Sequence, residues 1–241
     1  EWVELYNPSA ASASISGWRL TWERKGETQA YTFPTGCRVD KNGYFVLFLT
    51  GLDQVEDTAK AHYAAIDVSR KGGTLSLYDA DGALADQVTL GIQYGDISWG
   101  RVSDGSEWRY LAETSRGKAN TDVGYTSRAR RPDMNVNGGF FDTAPALSAL
   151  AEDGAQVRYT LDGKEPTALS PLFSEFSGLQ PGVTTLRVRA FTEDKLPSET
   201  VTQTYFVGVD RNVPVVSLVT DEKYLFSGKT GLLVPGSGKK A

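Results

Sequence analysis

The chain has 241 residues, of which 40% are hydrophobic and 23% are charged, an ordinary composition for one large or two small globular domains and not for a disordered segment. The formal net charge of −5 argues against a nucleic-acid binder, because such proteins neutralise phosphates with Lys and Arg. No apolar run approaches the roughly 20 residues that a membrane-spanning helix needs, so no transmembrane segment is expected.

Strand patterns dominate the first half of the chain. Alternating or continuous apolar runs, separated by turn signals, lie at residues 2–6, 17–22, 44–49, 74–78, 83–88, 97–102 and 108–110. Strands interrupted so often by turns predict a β-sandwich or barrel. Between two of these runs, the pair Asp81 and Gly82 predicts a tight hairpin in which both central residues have positive φ. A turn or two of helix is expected from Val55 to Ala64.

A change of composition separates the two halves. Residues 114–131 are rich in Ser, Gly, Arg and Asn and lack periodicity, which predicts a connection with a boundary near residue 125. A second series of strand patterns follows it, with a tight turn at Asp162 and Gly163. The run 184–191 has period two and predicts a strand with one buried face. The expected inward residues are Leu186, Val188 and Ala190, and the expected outward residues are Arg187 and Arg189.

The last part of the chain has a third character. Residues 214–220 and 231–234 have the pattern of short strands, and residues 221–226 have the pattern of a short capped turn. A lone strand has little stability, so this tail is expected to pair with another element or to begin a further domain.

Residues that could support catalysis or hold a metal are few. His62 is the only histidine and Cys37 the only cysteine, and no nucleophile elbow or second imidazole accompanies them. The acidic turn around Asp79 lacks the spacing of a calcium loop, and turn chemistry accounts for it. The glycine-containing stretches 71–74 and 228–231 lack the spacing of a phosphate-binding loop. The sequence therefore predicts no catalytic residue, no metal site and no cofactor.

Aromatic residues are the better candidates for a ligand-binding surface. Trp18 and Trp99 lie inside strand patterns and are expected in the core, because a buried indole removes a large apolar area from water. Trp22 and Trp108 lie nearer to polar turns and are the predicted ligand-contact residues. A small basic run at residues 128–131 is interpreted as part of a solvated connector.

Residues 1–121 resemble a bacterial lamin-tail domain. The similar pieces occur in the family's order at residues 1–8, 16–20, 31–34, 43–48, 75–79 and 100–101. Among them, Gly-Tyr-Phe-Val-Leu-Phe at residues 43–48 is a typical strand of the family. The resemblance implies an immunoglobulin-like β-sandwich without catalytic residues, of the kind attached to exported enzymes and surface proteins.

Two further resemblances cover most of the remaining chain. Residues 132–207 resemble the C-terminal β-sandwich module of chitobiase and hexosaminidase, with Tyr-Thr-Leu-Asp-Gly at residues 159–163 as the distinctive core. That resemblance also implies a non-catalytic module. Residues 213–234 are similar to the opening of the CotH kinase-like domain, the spore-coat protein H family. Only an entry strand and a turn are similar, so no nucleotide-binding or metal-binding position of a kinase is carried over.

These observations predict an all-β fold of two tandem immunoglobulin-like β-sandwich domains plus a short C-terminal extension. The expected parts are a lamin-tail-like domain, a linker, a second sandwich and the truncated start of a CotH-like domain, at residues 1–121, 122–131, 132–208 and 209–241. The chain begins without Met, inside a strand pattern and without a visible signal peptide, which predicts a piece of a longer exported protein.

The expected function is non-catalytic binding or scaffolding at the bacterial cell surface or outside the cell. The expected partners are a polysaccharide or another cell-envelope component, bound weakly, and the downstream CotH-like domain that the chain would present. Two alternatives stay open at this point. One is a regulatory or substrate-docking segment of a secreted CotH-type kinase, and the other is a structural spacer without a ligand.

Overall fold

The described residues fold into two units that consist almost entirely of β-strands. The computed structural model describes residues 1–52, 62–102, 105, 107–121, 123–210, 213–229 and 231–234. One unit is Glu1–Gly124 and the other is Tyr125–Ala241. Among the described residues of both units, no helix is long and apolar enough to cross a membrane. The predicted all-β class of two tandem β-sandwich domains is confirmed, whereas the finer four-part division stays a prediction.

The first unit contains two main sheets. Its described strands are β1 (Trp2–Tyr6), β2 (Ala13–Ser14), β3 (Arg19–Arg24), β4 (Glu27–Thr32), β5 (Arg38–Val39), β6 (Tyr44–Leu49), β7 (His62–Ala64), β8 (Gly73–Tyr78), β9 (Leu84–Leu90), β10 (Ser98–Arg101) and β11 (Trp108–Leu111). One sheet has the order β1-β6-β7, and the other has the antiparallel order β4-β3-β8-β9. The short pairs β2-β5 and β10-β11 complete the described strands. Of the helical turn expected at residues 55–64, positions 55–61 lie outside the described residues, and 62–64 form β7.

Side chains from both sheets form the core of the first unit. On β6 the buried positions alternate, with Phe45, Leu47 and Leu49 exposing 8%, 0% and 6% of their surface. Strand β3 contributes Leu20 and Trp22 to the same cluster. Burying each such side chain stabilises the fold by about 1.5–3 kcal/mol. The continuous apolar run at residues 44–49 is therefore one strand of a sandwich, of which one face is completely buried.

A glycine pair leads into β8 and explains the stretch 71–74. Gly72 has a φ of +84°, a conformation that L side chains rarely adopt. A Cβ atom on Gly73 would lie only 2.5 Å from the ring of Trp22. Both glycines are therefore required by backbone conformation and close packing, in agreement with the interpretation of this stretch as a turn.

The turn between β8 and β9 depends on one aspartate. Asp79 Oδ1 accepts hydrogen bonds from the backbone N–H groups of Asp81 and Ala83, at 3.0 and 2.8 Å. Gly82 has a φ of +86°, whereas Asp81 does not have a positive φ. The hairpin prediction is correct, but the expectation of two positive φ values is wrong, because the loop is longer and the Asp79 side chain closes it.

Replacing Asp79 by alanine is expected to lower the free energy of unfolding of the first unit by about 1 kcal/mol, since two N–H groups lose a charged acceptor. Urea unfolding followed by circular dichroism measures the change. Asp81→Ala is the matched control, because the structure shows no side-chain hydrogen bond from Asp81 to another described residue. Equal destabilisation by the two substitutions would show that the turn does not depend on the Asp79 carboxylate.

The second unit is also a sandwich. Its described strands are β12 (Ser127–Arg128), β13 (Asp133–Met134), β14 (Gly139–Phe141), β15 (Leu147–Leu150), β16 (Gln156–Thr160), β17 (Glu175–Phe176), β18 (Gly182–Phe191), β19 (Lys195–Leu196) and β20 (Val201–Val207). They form a four-stranded sheet, β14-β20-β18-β16, a three-stranded sheet, β13-β15-β17, and the short parallel pair β12-β19.

The longest strand of the second unit, β18, follows the predicted alternation. Leu186, Val188 and Ala190 expose 1%, 1% and 0% of their surface, and the intervening arginines remain partly exposed. Tyr205 on β20 is completely buried in the same core, and its hydroxyl donates a hydrogen bond of 2.8 Å to the carbonyl oxygen of Val136. The period-two prediction for residues 184–191 is confirmed.

Part of the stretch interpreted as a connection is ordered within the second unit. The backbone N–H of Thr126 donates to the carbonyl oxygen of Asp194 at 3.0 Å, and β12 pairs with β19. Arg128 and Arg130 form ion pairs with Glu199 and Asp133 at 3.6 and 2.6 Å. The basic run is thus attached to the second sandwich at two of its residues.

The C-terminal tail differs from its predicted strands. The capped turn is confirmed as α1 (Glu222–Phe226), whose N-cap residue Asp221 accepts a hydrogen bond from the backbone N–H of Lys223. Residues 213–220 form no strand, because nothing in the described structure pairs with their backbone. Residues 231–234 are also not a strand. The N–H groups of Leu232 and Leu233 donate to the carbonyl oxygens of Tyr224 and Leu225 in α1, at 2.8 and 2.9 Å.

Candidate ligand-binding surface

The two tryptophans predicted to contact a ligand lie in different environments. Trp22 exposes only 2% of its surface and packs in the core beside Leu75, its partner on the neighbouring strand. The prediction that Trp22 is a surface residue is wrong, because proximity to a polar turn does not decide which face of β3 is buried. Trp108 is partly exposed on β11 and stays a candidate.

Trp108 belongs to a group of four side chains on one face of the β10-β11 hairpin. The antiparallel register pairs Trp99 with Tyr110 and Arg101 with Trp108. Directly opposed residues share a face, and so do residues two apart on one strand. The four side chains therefore project from the same side. We call Trp99, Arg101, Trp108 and Tyr110 the aromatic hairpin surface.

The rings of this surface are in contact. The Trp99 and Trp108 ring centroids are 6.4 Å apart with an interplanar angle of 13°, and those of Trp99 and Tyr110 are 4.6 Å apart. The guanidinium carbon of Arg101 lies 4.9 Å from the centroid of the Trp108 ring, within the range of a cation–π interaction. The Arg101 side chain also forms an ion pair with Asp86 at 2.8 Å.

One end of the surface is fixed and the other is open. Tyr110 is 7% exposed, and its hydroxyl donates to the carbonyl oxygen of Ile92 at 2.7 Å. On the other face of the hairpin, Leu111 is buried at 1% exposure. The side chains of Arg101 and Asp86 are 43% and 46% exposed. The hairpin is thus held by its Tyr110 end, while the Trp108 and Arg101 end meets solvent.

A buried polar group lies within the same surface. The Nε1–H of Trp99 is buried and has no hydrogen-bond acceptor among the described residues. Most buried donors in proteins are paired, with protein or with water.

A second aromatic surface lies on the outer face of the β1-β6-β7 sheet and was not predicted as a site. Tyr6 and Tyr44 stack at 4.9 Å, and Phe48 stacks on Tyr63 at 5.5 Å. Glu4, on the same face, is partly buried, which raises the pKa of its carboxyl group, and it accepts a hydrogen bond from the backbone N–H of Gly117. The even spacing of the aromatic residues at positions 2 and 6, and of those at 44 and 48, was the signal for this face.

Cys37, Trp18 and His62, which were also singled out in the sequence, have structural positions. Cys37 is buried, at 8% exposure, in the first core, and Trp18 packs against that core. His62 stacks on Phe45 with ring centroids 4.6 Å apart. Trp99, expected in the core, is only partly buried. In the described part of the chain no group of three or more His, Cys, Asp or Glu side chains is placed to hold a metal ion.

Comparison with known families places a different domain in each unit. Residues 1–91 match the family model of the lamin tail domain, and residues 136–202 match that of the chitobiase/beta-hexosaminidase C-terminal domain. Both are non-catalytic immunoglobulin-like domains. These matches confirm the first two resemblances seen in the sequence. No curated protein matches the chain.

Parts of the chain lie outside the two matches. The aromatic hairpin surface, at residues 99–110, follows the end of the lamin tail match at residue 91. Residues 213–234 lie beyond the second match, so their similarity to a CotH kinase-like domain stays a prediction.

Proposed function

We propose that this chain is a non-catalytic carbohydrate-binding region of an exported bacterial protein, and that it binds a cell-envelope polysaccharide through the aromatic hairpin surface. The observation that carries the proposal is the position of Trp108, stacked with Trp99 and flanked by the exposed Arg101 and Asp86. Both matched families are non-catalytic, which supports a binding role.

The chemistry of the surface suits a sugar. One face of a pyranose ring carries C–H groups and packs on an aromatic ring, whereas its edge carries hydroxyl groups that need donors and acceptors. An indole offers a large rigid apolar surface for the first part. The Arg101 guanidinium and the Asp86 carboxylate offer donors and acceptors for the second. One partly exposed tryptophan predicts weak binding.

The tail supports a second part of the proposal, which is that the chain presents or docks another domain. Val216 and Leu218 expose 92% and 78% of their surface, and Leu232 exposes 63%. Exposed apolar side chains that cluster within one segment are typical of an interaction site. A CotH-like domain of the same parent protein is the partner we propose for residues 213–234.

Replacing Trp108 by alanine is expected to weaken binding of the chain to a cell-wall polysaccharide roughly tenfold, since the central aromatic contact of the surface is removed. A glycan array first identifies the polysaccharide, and isothermal titration of the chain with its oligosaccharide measures the loss. Circular dichroism should show an unchanged fold, because Trp108 is not part of either core cluster.

Tyr6→Ala is the matched control, because Tyr6 is an aromatic residue, 52% exposed, on the other aromatic surface of the same unit. We expect its affinity to equal that of the unaltered chain. Loss of binding with Tyr6→Ala and not with Trp108→Ala would assign the site to the outer face of the β1-β6-β7 sheet. No binding to any polysaccharide on the array at millimolar concentration would favour a structural spacer.

A further inference from the structure

A charged surface lies on the outer face of the four-stranded sheet of the second unit. The register pairs Arg158 on β16 directly with Arg189 on β18, and Arg187 lies two residues before Arg189 on the same face. Neighbouring strands are about 5 Å apart, and residues two apart on one strand are about 7 Å apart. Burial lowers the pKa of Arg189, and the positive charge of the nearby Arg128 on β12 lowers it further. We call these four residues the arginine face.

Among the described residues, carboxylates form ion pairs with two of these arginines. Arg189 forms an ion pair with Glu165 at 3.4 Å, and Arg128 forms one with Glu199 at 3.6 Å. Both distances exceed the 2.7–2.9 Å typical of a charge-assisted hydrogen bond. Both carboxylates come from loops, because the outward positions of β14, β16, β18 and β20 carry no Asp or Glu.

The other two arginines are held by neutral acceptors. Arg158 donates to the carbonyl oxygen of Ser170 and to the side chain of Gln156, both at 2.7 Å. Arg187 donates to the carbonyl oxygen of Gly163 at 2.8 Å. Arg158 and Arg187 therefore have no carboxylate partner among the described residues, and their positive charges are not neutralised by an ion pair there. Directly opposed like charges destabilise a sheet, so Arg158 and Arg189 carry a cost that a bound anion would offset.

The guanidinium groups are also fixed in position. The Nε–H of Arg158 is buried and has no acceptor among the described residues. The Arg189 side chain is only 23% exposed, and its Nε donates to the carbonyl oxygen of Ser198 at 2.7 Å. A planar fork that is already positioned loses little conformational freedom when it binds a carboxylate.

We propose that the arginine face is an anion-binding site for an acidic polysaccharide, whose carboxylates pair with Arg158, Arg187 and Arg189. Hydroxyl groups beside the arginines favour a sugar backbone, since Thr160 and Thr202 point outward from the strands on either side of β18. The net charge of −5 disfavours a nucleic acid, because the rest of the protein repels a long polyphosphate. This site is distinct from the aromatic hairpin surface and does not depend on it.

The test is a titration of the full, isotope-labelled chain with a short oligogalacturonate, followed by amide chemical shifts. The same oligomer as its methyl ester keeps the backbone and hydroxyl groups but loses the charges. We expect the acid form to shift the amides of Arg158, Arg187 and Arg189, and the ester to leave them unchanged. Its apparent Kd should rise roughly fortyfold between about 50 and 300 mM salt, as expected for about three ionic contacts.

Substitutions test the assignment to particular residues. The double substitution Arg158→Gln and Arg189→Gln should weaken oligogalacturonate binding roughly tenfold or more, as two charge-assisted contacts are lost. Arg130→Gln is the matched control, because Arg130 also forms an ion pair in the second unit but is not on this face. Arg189→Lys alone should lose less affinity than Arg189→Gln, since it keeps the charge. If the double variant does not fold, the titration of the unaltered chain decides.

Several outcomes would overturn this assignment. They are equal shifts with the methyl ester, shifts confined to Trp99 and Trp108, equal losses with Arg130→Gln, or the absence of binding at low salt. Tighter binding of a DNA oligomer of the same charge would assign the face to nucleic acid. Since a neutral polysaccharide tests only the aromatic hairpin surface, the two sites can fail independently.

Discussion

Trp22→Ala is expected to lower the free energy of unfolding of the first unit by about 3–5 kcal/mol. The indole is 2% exposed and fits against Gly73, where the absence of a Cβ atom leaves room for the ring. Alanine would leave a cavity at the centre of the sandwich that the surrounding strands can close only in part. A domain of this size has a net stability of about 5–15 kcal/mol, so the loss is a large fraction of the total.

Urea unfolding followed by circular dichroism measures the loss, and hydrogen exchange assigns it to the first unit through the amides of β3 and β8. Trp108→Ala removes the same side chain from a partly exposed position, and should cost about 1 kcal/mol or less. A change below about 1 kcal/mol for Trp22→Ala would contradict the burial of this ring. Trp22→Phe should recover part of the stability, because it refills part of the cavity.

Tyr205 should make the second unit sensitive to alkaline pH. The side chain is completely buried, and burial raises the pKa of its hydroxyl from 10.0 to about 12. Above pH 10 the unfolded chain loses this proton while the folded chain keeps it. The raised pKa of Tyr205 therefore stabilises the second unit, by about 2–3 kcal/mol in total. This contribution is complete below pH 10 and is lost as the pH rises through 12. Thermal unfolding of the second unit between pH 9 and 12 measures it.

The substitution that isolates this effect is Tyr205→Phe, which should remove most of the loss between pH 10 and 12. At neutral pH it should cost about 1 kcal/mol, because the carbonyl oxygen of Val136 loses its hydrogen-bond donor. Tyr224→Phe, at a tyrosine that is 56% exposed, serves as the control and should leave the alkaline loss unchanged. An identical pH profile for Tyr205→Phe and the unaltered chain would assign the loss to other groups.

The sequence predicted strands from their side-chain pattern, but it did not show which of these segments would find a partner strand. Residues 184–191 alternate strictly, and β18 occupies Gly182–Phe191 in the middle of a sheet. Residues 214–220 also have a strand pattern, yet they form none. Strand β20 is already flanked by β14 and β18. The contact that the described part of the tail makes with it is between side chains, since the hydroxyl of Ser217 lies 2.8 Å from that of Thr204. A side-chain pattern does not supply a free sheet edge.

The candidate site was predictable in one residue only. Trp108 was identified from its position beside a polar turn, and the same reasoning placed Trp22 on the surface, where it is not. Arg101 and Trp99 belong to the site because β10 and β11 pair in an antiparallel register that places them beside Trp108 and Tyr110. The arginine face was partly visible, since Arg187 and Arg189 were expected to point outward, but Arg158 meets them only because β16 pairs with β18.

The sequence by itself determined the all-β class, the two β-sandwich domains and the turns at Asp79 and Asp162, because alternation and turn residues act over a few neighbouring positions. Only the tertiary structure decided which of Trp22 and Trp108 is exposed and which arginines lie side by side. These depend on strand register and on which face of each strand meets the opposite sheet, and both are set by contacts between residues far apart in the chain.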